Sequence, residues 1–381
     1  MPISMLYIAI VLFVVSETDS YALAGALSMF ASVVLAIATP LWSRAADQFG
    51  QNRILSITAP IHIIFLGLFV YLVKSDAPTW SWFLAAMIFE GFVIGSGQMV
   101  RRRWIHAIGE DRKLIDTAYS FEAMVDEIVF TSGPVIATIF ASMFFPAAAI
   151  FAAMGFLAVG AVLFLLQRKT QPPAHPKEVG DDRSLLIKDR FIRALFIPMM
   201  MVGAFFSSTG LVIVGYSDEY GVREYSGLFI AIWSLSSGIS AFISGTIHWK
   251  LNEAKRFIRS LIALMLLTIP IFLSAQLFQG NLWIMAVVLF FNGLAIAPLL
   301  TAGLAVAERS VSEKRTTEVL AWAIAALNLG GAIPTALTGY IIDTYGPSVA
   351  FIIPVGCMAI SLLSLLPYLS VWQKKSAEIP A

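Results

Sequence analysis

Read from its first residue, the chain alternates between long apolar runs and short polar breaks. The runs fall at roughly 2–16, 21–42, 54–74, 79–100, 117–144, 147–167, 194–216, 226–249, 257–278, 282–305, 317–342 and 347–370. A hydrocarbon core about 30 Å thick needs about 20 apolar residues of helix. The runs are too long and too evenly apolar for buried strands. A membrane barrel would instead show alternating segments of about ten residues. The pattern therefore predicts an all-α membrane protein of twelve transmembrane helices.

Basic residues then give the direction. The segments after the even-numbered runs, together with the C-terminus, carry 23 of the 25 lysines and arginines, and only Lys74 and Arg223 fall on the other side. Cytoplasmic loops collect Lys and Arg, so both termini are expected in the cytoplasm. A miscounted helix would scramble this sorting in every later loop. The longest polar stretch, 168–193, carries Pro172, Pro173, Pro176 and Gly180 and reads as a flexible linker. It separates an N-terminal half, 1–167, from a C-terminal half, 194–381; a regulatory or partner-binding loop is the other reading of the same stretch.

Composition agrees. Apolar residues make up 59% of 381 and charged residues 13%, with mean hydropathy +0.83, where a soluble domain carries about 25% charge. The net charge of +1 is scattered in short clusters, so no nucleic-acid partner is expected. The single cysteine, Cys357, allows neither a disulfide framework nor a cysteine metal site. The histidines His62, His106, His175 and His248 have no second ligand at metal spacing, and no phosphate-cradling G-x-x-x-x-G-K-[ST] loop occurs. No cofactor or metal is expected, nor an ATPase of that type within the chain. No cleavable signal segment is expected either, since Met1 runs into an apolar stretch with no basic flank.

The two halves repeat each other. An offset of 202 residues aligns Phe89-Glu90-Gly91 with Phe291-Asn292-Gly293, and also Gly25 with Gly227, Ser43 with Gly245 and Arg53 with Lys255. Six spans per half preserve orientation, so the repeat is parallel, with its axis along the membrane normal. Such repeats place a substrate site near the midplane between the halves.

The turn after the second span reads Ser43-Arg44-Ala45-Ala46-Asp47-Gln48-Phe49-Gly50-Gln51-Asn52-Arg53. It resembles the signature loop of the major facilitator superfamily, G-x-L-A-D-x-x-G-R-x-x-x-L, through Ala46, Asp47, Gly50 and Leu55. Ser43, Ala45 and Gln51 replace the usual glycine, leucine and arginine, and Arg53 lies nearby. Gly50 suits a tight turn, and Asp47, at a helix end, could cap a neighbouring helix N-terminus. The resemblance, to poorly characterised bacterial members of the superfamily, implies two pseudo-symmetric six-helix bundles in the plasma membrane, the inner membrane of a bacterium, and assigns Asp47, Gly50 and Arg53 to a conformational-switch loop. In the fifth span Gly133-Pro134 resembles the exporter motif G-x8-G-x3-G-P-x2-G-G, with Ser120, Val129, Ala137 and Thr138 standing where glycines would be. The fourth span departs from the exporter pattern R-x-x-Q-G: Met87 takes the place of the arginine, and Glu90-Gly91 that of Gln-Gly.

Acids within the spans need an explanation, because a carboxylate mid-helix costs about 2.5–3.5 kcal/mol on insertion scales. Glu90 lies halfway along the fourth span, and Glu122, Asp126 and Glu127 in the fifth. Spacing puts Glu122, Asp126, Gly133 and Ala137 on one close-packing stripe, with Glu127 turned aside. No Lys, Arg or His is expected mid-span to neutralise these acids, which either reach basic ends such as Arg101–Arg103 or stay protonated through desolvation. All four are candidates for proton coupling, with structural hydrogen bonding as the alternative. The superfamily's cavity-lining first, fourth, seventh and tenth spans add Glu90, Asn292, Ser207 and Ser208 as substrate-cavity candidates. Serines also bond their own helix backbone, and Glu318 reads as a helix-end charge.

The expected function is secondary active transport by alternating access, with proton-coupled efflux of a small organic molecule by a monomer. A nutrient importer of the same fold is the alternative, and a membrane enzyme or lipid scramblase a second. No catalytic residues are assigned. The first span offers only about 15 apolar residues before Glu17, without a basic flank, and the 202-residue offset sets Met1 opposite Gly203. This leads to the expectation of a start further upstream; a short helix accommodated by local bilayer thinning is the alternative. Reporter fusions after Gln171 and Ala381 are expected to be active as cytoplasmic reporters only. Activity of a periplasmic reporter at either position contradicts the topology.

Overall fold

The computed structural model describes residues 1–109, 112–174, 190–246, 251–311, 316–368 and 372. The described chain is almost entirely helical. In order, the helices are α1 (Pro2–Thr18), α2 (Tyr21–Phe49), α3 (Gln51–Lys74), α4 (Thr79–Gly91), α5 (Ser96–Ile108), α6 (Arg112–Met143) and α7 (Ala148–Leu166). They continue with α8 (Arg190–Glu219), α9 (Ser226–Thr246), α10 (Glu253–Leu277), α11 (Leu282–Gly293), α12 (Ile296–Arg309), α13 (Thr316–Gly330), α14 (Ala332–Tyr345), α15 (Pro347–Ala350) and α16 (Ile352–Leu363). Among the described residues, ten helical stretches are long and apolar enough to cross a membrane. Of the other two expected spans, α1 has 17 residues, and the fourth is divided into α4 and α5. The twelve-span reading is compatible with this architecture.

Contacts divide the chain into two compact units. The first contains Met1–Asp19 and Phe30–Asp182, the second Ser20–Met29 and Arg183–Ala381. Helix α2 is thus continuous in backbone but shared: its first third packs in the second unit and the remainder in the first.

In the first unit α1 packs on α6 and α7, and α3 on α4 and α7. Ten consecutive positions of α1, from Leu6 to Val15, include nine buried residues, and Met5 is buried as well. A helix apolar on every side belongs inside a bundle. Gly133 of α6 lies tight against α1, where a Cβ would fall 2.1 Å from Ser4 Oγ. In the second unit α8 plays the central part, with α13, α14 and α16 around it. Its apolar window is 72% buried. Without a hydrophobic force between helices in lipid, such contacts rest on small residues that let backbones approach. At Gly203 and Gly330 a Cβ would lie 1.8 Å and 1.6 Å from the carbonyl oxygens of Leu327 and Met200.

Four spans expected as single helices are interrupted: 79–100 at Phe92–Gly95, 282–305 at Leu294–Ala295, 317–342 at Gly331 and 347–370 at Phe351. Hydropathy does not register such breaks, because the residues at them are as apolar as the helices they separate. The signature turn forms as expected at Gly50, whose φ of 91° is open to glycine and strained for other residues.

Gly330→Ala is expected to cost about 1–3 kcal/mol through overpacking against the α8 backbone, seen as a lower melting temperature in detergent. Gly155, with nothing within 4 Å of a built Cβ, should accept alanine without loss. Equal melting of both variants contradicts the close contact.

Candidate functional site

The fourth span and its repeat break in the same way. Regular i→i+4 bonding stops where Val93 N–H donates to the Glu90 carbonyl at 3.2 Å, and again where Ala295 N–H donates to the Asn292 carbonyl at 3.1 Å. These tightened turns are 202 residues apart, so the duplication extends to backbone hydrogen bonding. Carbonyls released at a break inside a membrane must find donors. In the first unit Trp42 Nε1 donates to Gly91 O at 2.6 Å, and His62 Nδ1 contacts Phe89 O at 2.8 Å. A carbonyl only accepts, so Nδ1 carries the proton and the neutral ring keeps Nε2 as an acceptor. In the second unit Ser240 Oγ donates to Leu294 O at 2.5 Å.

Glu90 sits between the two braced carbonyls. It is 9% exposed, and its carboxyl group has neither ion pair nor hydrogen bond among the described residues. His62 is buried in mid-span with its ring 5.8 Å from that of Phe89, which corrects the expectation that no histidine lies in the middle of a span. Its mid-span position was the available signal.

Asn292 has a different setting. It is fully buried; Oδ1 accepts from Trp233 Nε1 at 2.8 Å and Nδ2 donates to Thr268 Oγ1 at 3.1 Å. The amide ties α11 to α9 and α10, so in this structure it braces helices rather than presenting a free group to a substrate. Ser208 bonds back to Ala204 O at 2.6 Å within α8, as mid-helix serines do. Ser207 is half-buried and packs against Gly331, where a Cβ would lie 2.2 Å from its Oγ.

The acids of α6 separate. Glu122 pairs with Arg101 at 3.0 Å, and its other oxygen is buried without a hydrogen bond among the described residues. Asp126 is exposed and forms no ion pair within 4.0 Å among the described residues, although its charge acts on the Met1 amino group. Along the expected stripe burial differs: Gly133 and Ala137 are packed, whereas Asp126, two turns nearer the start of α6, is exposed. The side chains of Glu127, Ser120 and Glu318 lie outside the described residues, as do His175, His248 and most of the 168–193 linker.

At the same end of the first unit, the three consecutive arginines take three sets of partners. Arg101 holds Glu122, Arg102 pairs with Asp47, and buried Arg103 gathers Gln51, Asn52 and the ends of α7. Asp47 was expected to cap a neighbouring helix; instead it takes the Arg102 side chain, and Gly50 precedes α3 without any side-chain cap. Arg53 is exposed and lines a surface cavity.

Within the second unit Asp343 caps α2. Its carboxylate accepts from Tyr21 N–H at 2.8 Å, Ala22 N–H at 2.7 Å and Ser20 Oγ at 2.9 Å. Nearby, Asp218 accepts from the Tyr21 hydroxyl at 2.8 Å and from Arg223 at 2.7 Å. No sequence pattern could announce a cap supplied from 321 residues away.

A family model described as Major Facilitator Superfamily matches residues 1–280 and 261–380. The chain belongs to this superfamily. It is a multi-pass membrane transporter and not an enzyme. Solved structures with the same fold include the nucleoside transporter NupG, with TM-score 0.68, 14% identity and coverage of 96% of this chain and 98% of that one. A D-xylose–proton symporter matches with TM-score 0.66, 14% identity and coverage of 96% and 94%. A bacterial metal transporter matches with TM-score 0.59, 11% identity and coverage of 96% and 97%. Among curated proteins, none matches this chain.

Asn292→Leu should leave the buried Trp233 N–H unpaired and cost about 1–3 kcal/mol, measured as a melting shift in detergent. An unchanged melting temperature with weakened substrate binding would return Asn292 to the substrate cavity.

Proposed function

We propose that this superfamily transporter exports a small organic molecule in exchange for protons, with Glu90 as the principal proton carrier. The observation that carries the coupling is the setting of Glu90: a buried carboxyl at a helix break, with no cation paired to it among the described residues. An ionised carboxylate there is costly, and a protonated one much less so. Gain and loss of a proton therefore change how stably the break packs between Trp42 and His62. Intramembrane acids of this kind mark proton pathways. Asp126, exposed on α6 and close enough for its charge to act on the Met1 amino group, is the second carrier. Glu122 serves structure through Arg101, and Asn292 serves it through Trp233 and Thr268. Ser207 and Ser208 remain on α8 as weaker substrate contacts.

The export direction rests on Gly133-Pro134, whose glycine supports the tight α1–α6 contact. The working cycle is alternating access, by a monomer in the plasma membrane of a bacterium with both termini in the cytoplasm. Halves 1–167 and 194–381 are the moving parts, and Asp47, Gly50 and Arg53 form the switch loop. Asp47, through Arg102, connects the end of α2 to α5 and so to the broken fourth span.

The test is transport in proteoliposomes with an imposed pH gradient, using substrates chosen by the sensitivity of cells lacking the gene to toxic compounds. Glu90→Gln should abolish gradient-driven transport but keep substrate exchange at equal pH, with a normal melting temperature. Asp126→Asn should weaken coupling in the same assay. Normal pH-dependent transport by both variants overturns the coupling assignment. Accumulation down the proton gradient in the same direction as protons overturns export.

A further inference from the structure

The corner formed by the start of α3, by α5 and by the end of α7 contains a buried cation whose partners among the described residues are all neutral. Arg103 is 5% exposed. Its Nε donates to Gln51 Oε1 at 2.9 Å, and its Nη2 to Asn52 Oδ1 at 2.7 Å. Its Nη1 donates to the carbonyls of Phe164 at 3.0 Å and Gln167 at 2.9 Å, and its carbon lies 3.5 Å from the centre of the Phe164 ring. Hydrogen bonding is therefore satisfied but charge is not. A buried charge is ordinarily matched by an opposite one.

Beside it is a cavity of about 660 Å³, lined by Asn52, Arg53, Ser56, Leu165, Arg168 and Gln171, with Pro172 and Pro173. Asn52 joins the two features: its Oδ1 receives Arg103, its Nδ2 donates to Leu165 O at 3.2 Å, and it forms part of the cavity wall. Arg53 and Arg168 are both exposed at this wall. None of the three arginines forms an ion pair among the described residues. Two exposed guanidinium groups thus line one opening beside buried Arg103, with no carboxylate among the described residues to balance the three, and a hydroxyl and amide groups share the lining. Arginine forks suit phosphate oxygens in pairs.

The cavity also lies where membrane spans end, at the first turn of α3 and just beyond Leu166 of α7. Leu165 and the two prolines form its apolar side. Phosphate groups are abundant at this level of a bilayer, and basic pockets between the ends of membrane helices bind acidic headgroups.

We infer that the Arg53–Arg168 cavity binds a phosphate-bearing anion, supplied by the headgroup of an acidic phospholipid. The two exposed arginines grip the phosphate, Gln171 supplies a neutral donor, and the bound negative charge compensates Arg103. The ligand thereby links the start of α3, next to the Asp47–Gly50 turn, to the end of α7. The site is independent of the transport direction and of Glu90.

The experiment measures phosphatidylglycerol retained by the full chain in detergent, by native mass spectrometry. Melting is followed in parallel in phosphatidylcholine vesicles with and without phosphatidylglycerol, and in a separate arm with inorganic phosphate alone. The double variant R53Q/R168Q should hold phosphatidylglycerol roughly thirtyfold more weakly and lose the melting shift. R53K/R168K, which preserves charge, should retain most of the binding and shows whether the glutamine pair fails through misfolding. If inorganic phosphate alone reproduces the wild-type shift and R53Q/R168Q abolishes it, the anion site holds and its ligand is soluble phosphate rather than lipid. Equal phosphatidylglycerol retention by wild type and R53Q/R168Q, with no phosphate-dependent shift, overturns the site. Binding is read without transport, so failure of the Glu90 assignment leaves this outcome unaffected.

Discussion

In a hydrocarbon core, a backbone carbonyl released from its helix has no water to turn to. This constraint organises the fourth span and its repeat. Once the tight turns at Glu90–Val93 and Asn292–Ala295 interrupt the helix ladder, the neighbouring spans must provide donors, and Trp42, His62 and Ser240 do so. Those side chains in turn fix how α2 and α3 lie against α4, and α9 against α11. The break cannot be treated as a local irregularity, because its stability is distributed over the spans around it.

The same turns separate the halves chemically. At equivalent positions the first unit has a carboxyl group without a hydrogen bond among the described residues, and the second has an amide bonded to Trp233 and Thr268. A neutral amide can be satisfied permanently in a bundle, whereas a carboxyl group changes its requirements with each proton. Duplication therefore supplied two identical backbone devices, of which one became a brace and the other retained a titratable group. The contrast explains why Asn292, although polar and deep, is a poor substrate contact in this structure.

Polar chemistry at the helix ends follows a different rule. Arg101, Arg102 and Arg103 are consecutive, yet helical geometry points them about 100° apart, and each meets a different neighbour. Arg101 takes an acid of α6, Arg102 takes Asp47, and Arg103 turns inward to neutral oxygens. The positive-inside bias that locates such arginines in a sequence does not distinguish an anchor from an ion-pair partner or a buried hub. Asp343 shows the same limit from the acidic side, since its partners at the start of α2 are remote in sequence.

The membrane class, the number of apolar runs and the 202-residue repeat were legible in the sequence, because each depends on hydropathy and spacing, which are properties of the chain itself. Gly50, Asp47 and Gly133-Pro134 were legible for the same reason: a turn or a close contact demands a particular residue type. Glu90 was also visible, since a carboxylate inside an apolar run is conspicuous without any structure. What surrounds these residues was not. The interruption of four spans, the braces from Trp42 and His62, the separation of Glu122 from Asp126 and the neutral cage of Arg103 are decided by which helix faces meet. Apolar side chains on either side of such a contact are nearly interchangeable in sequence, so only the packed tertiary structure determines which polar group each one brings within hydrogen-bond reach.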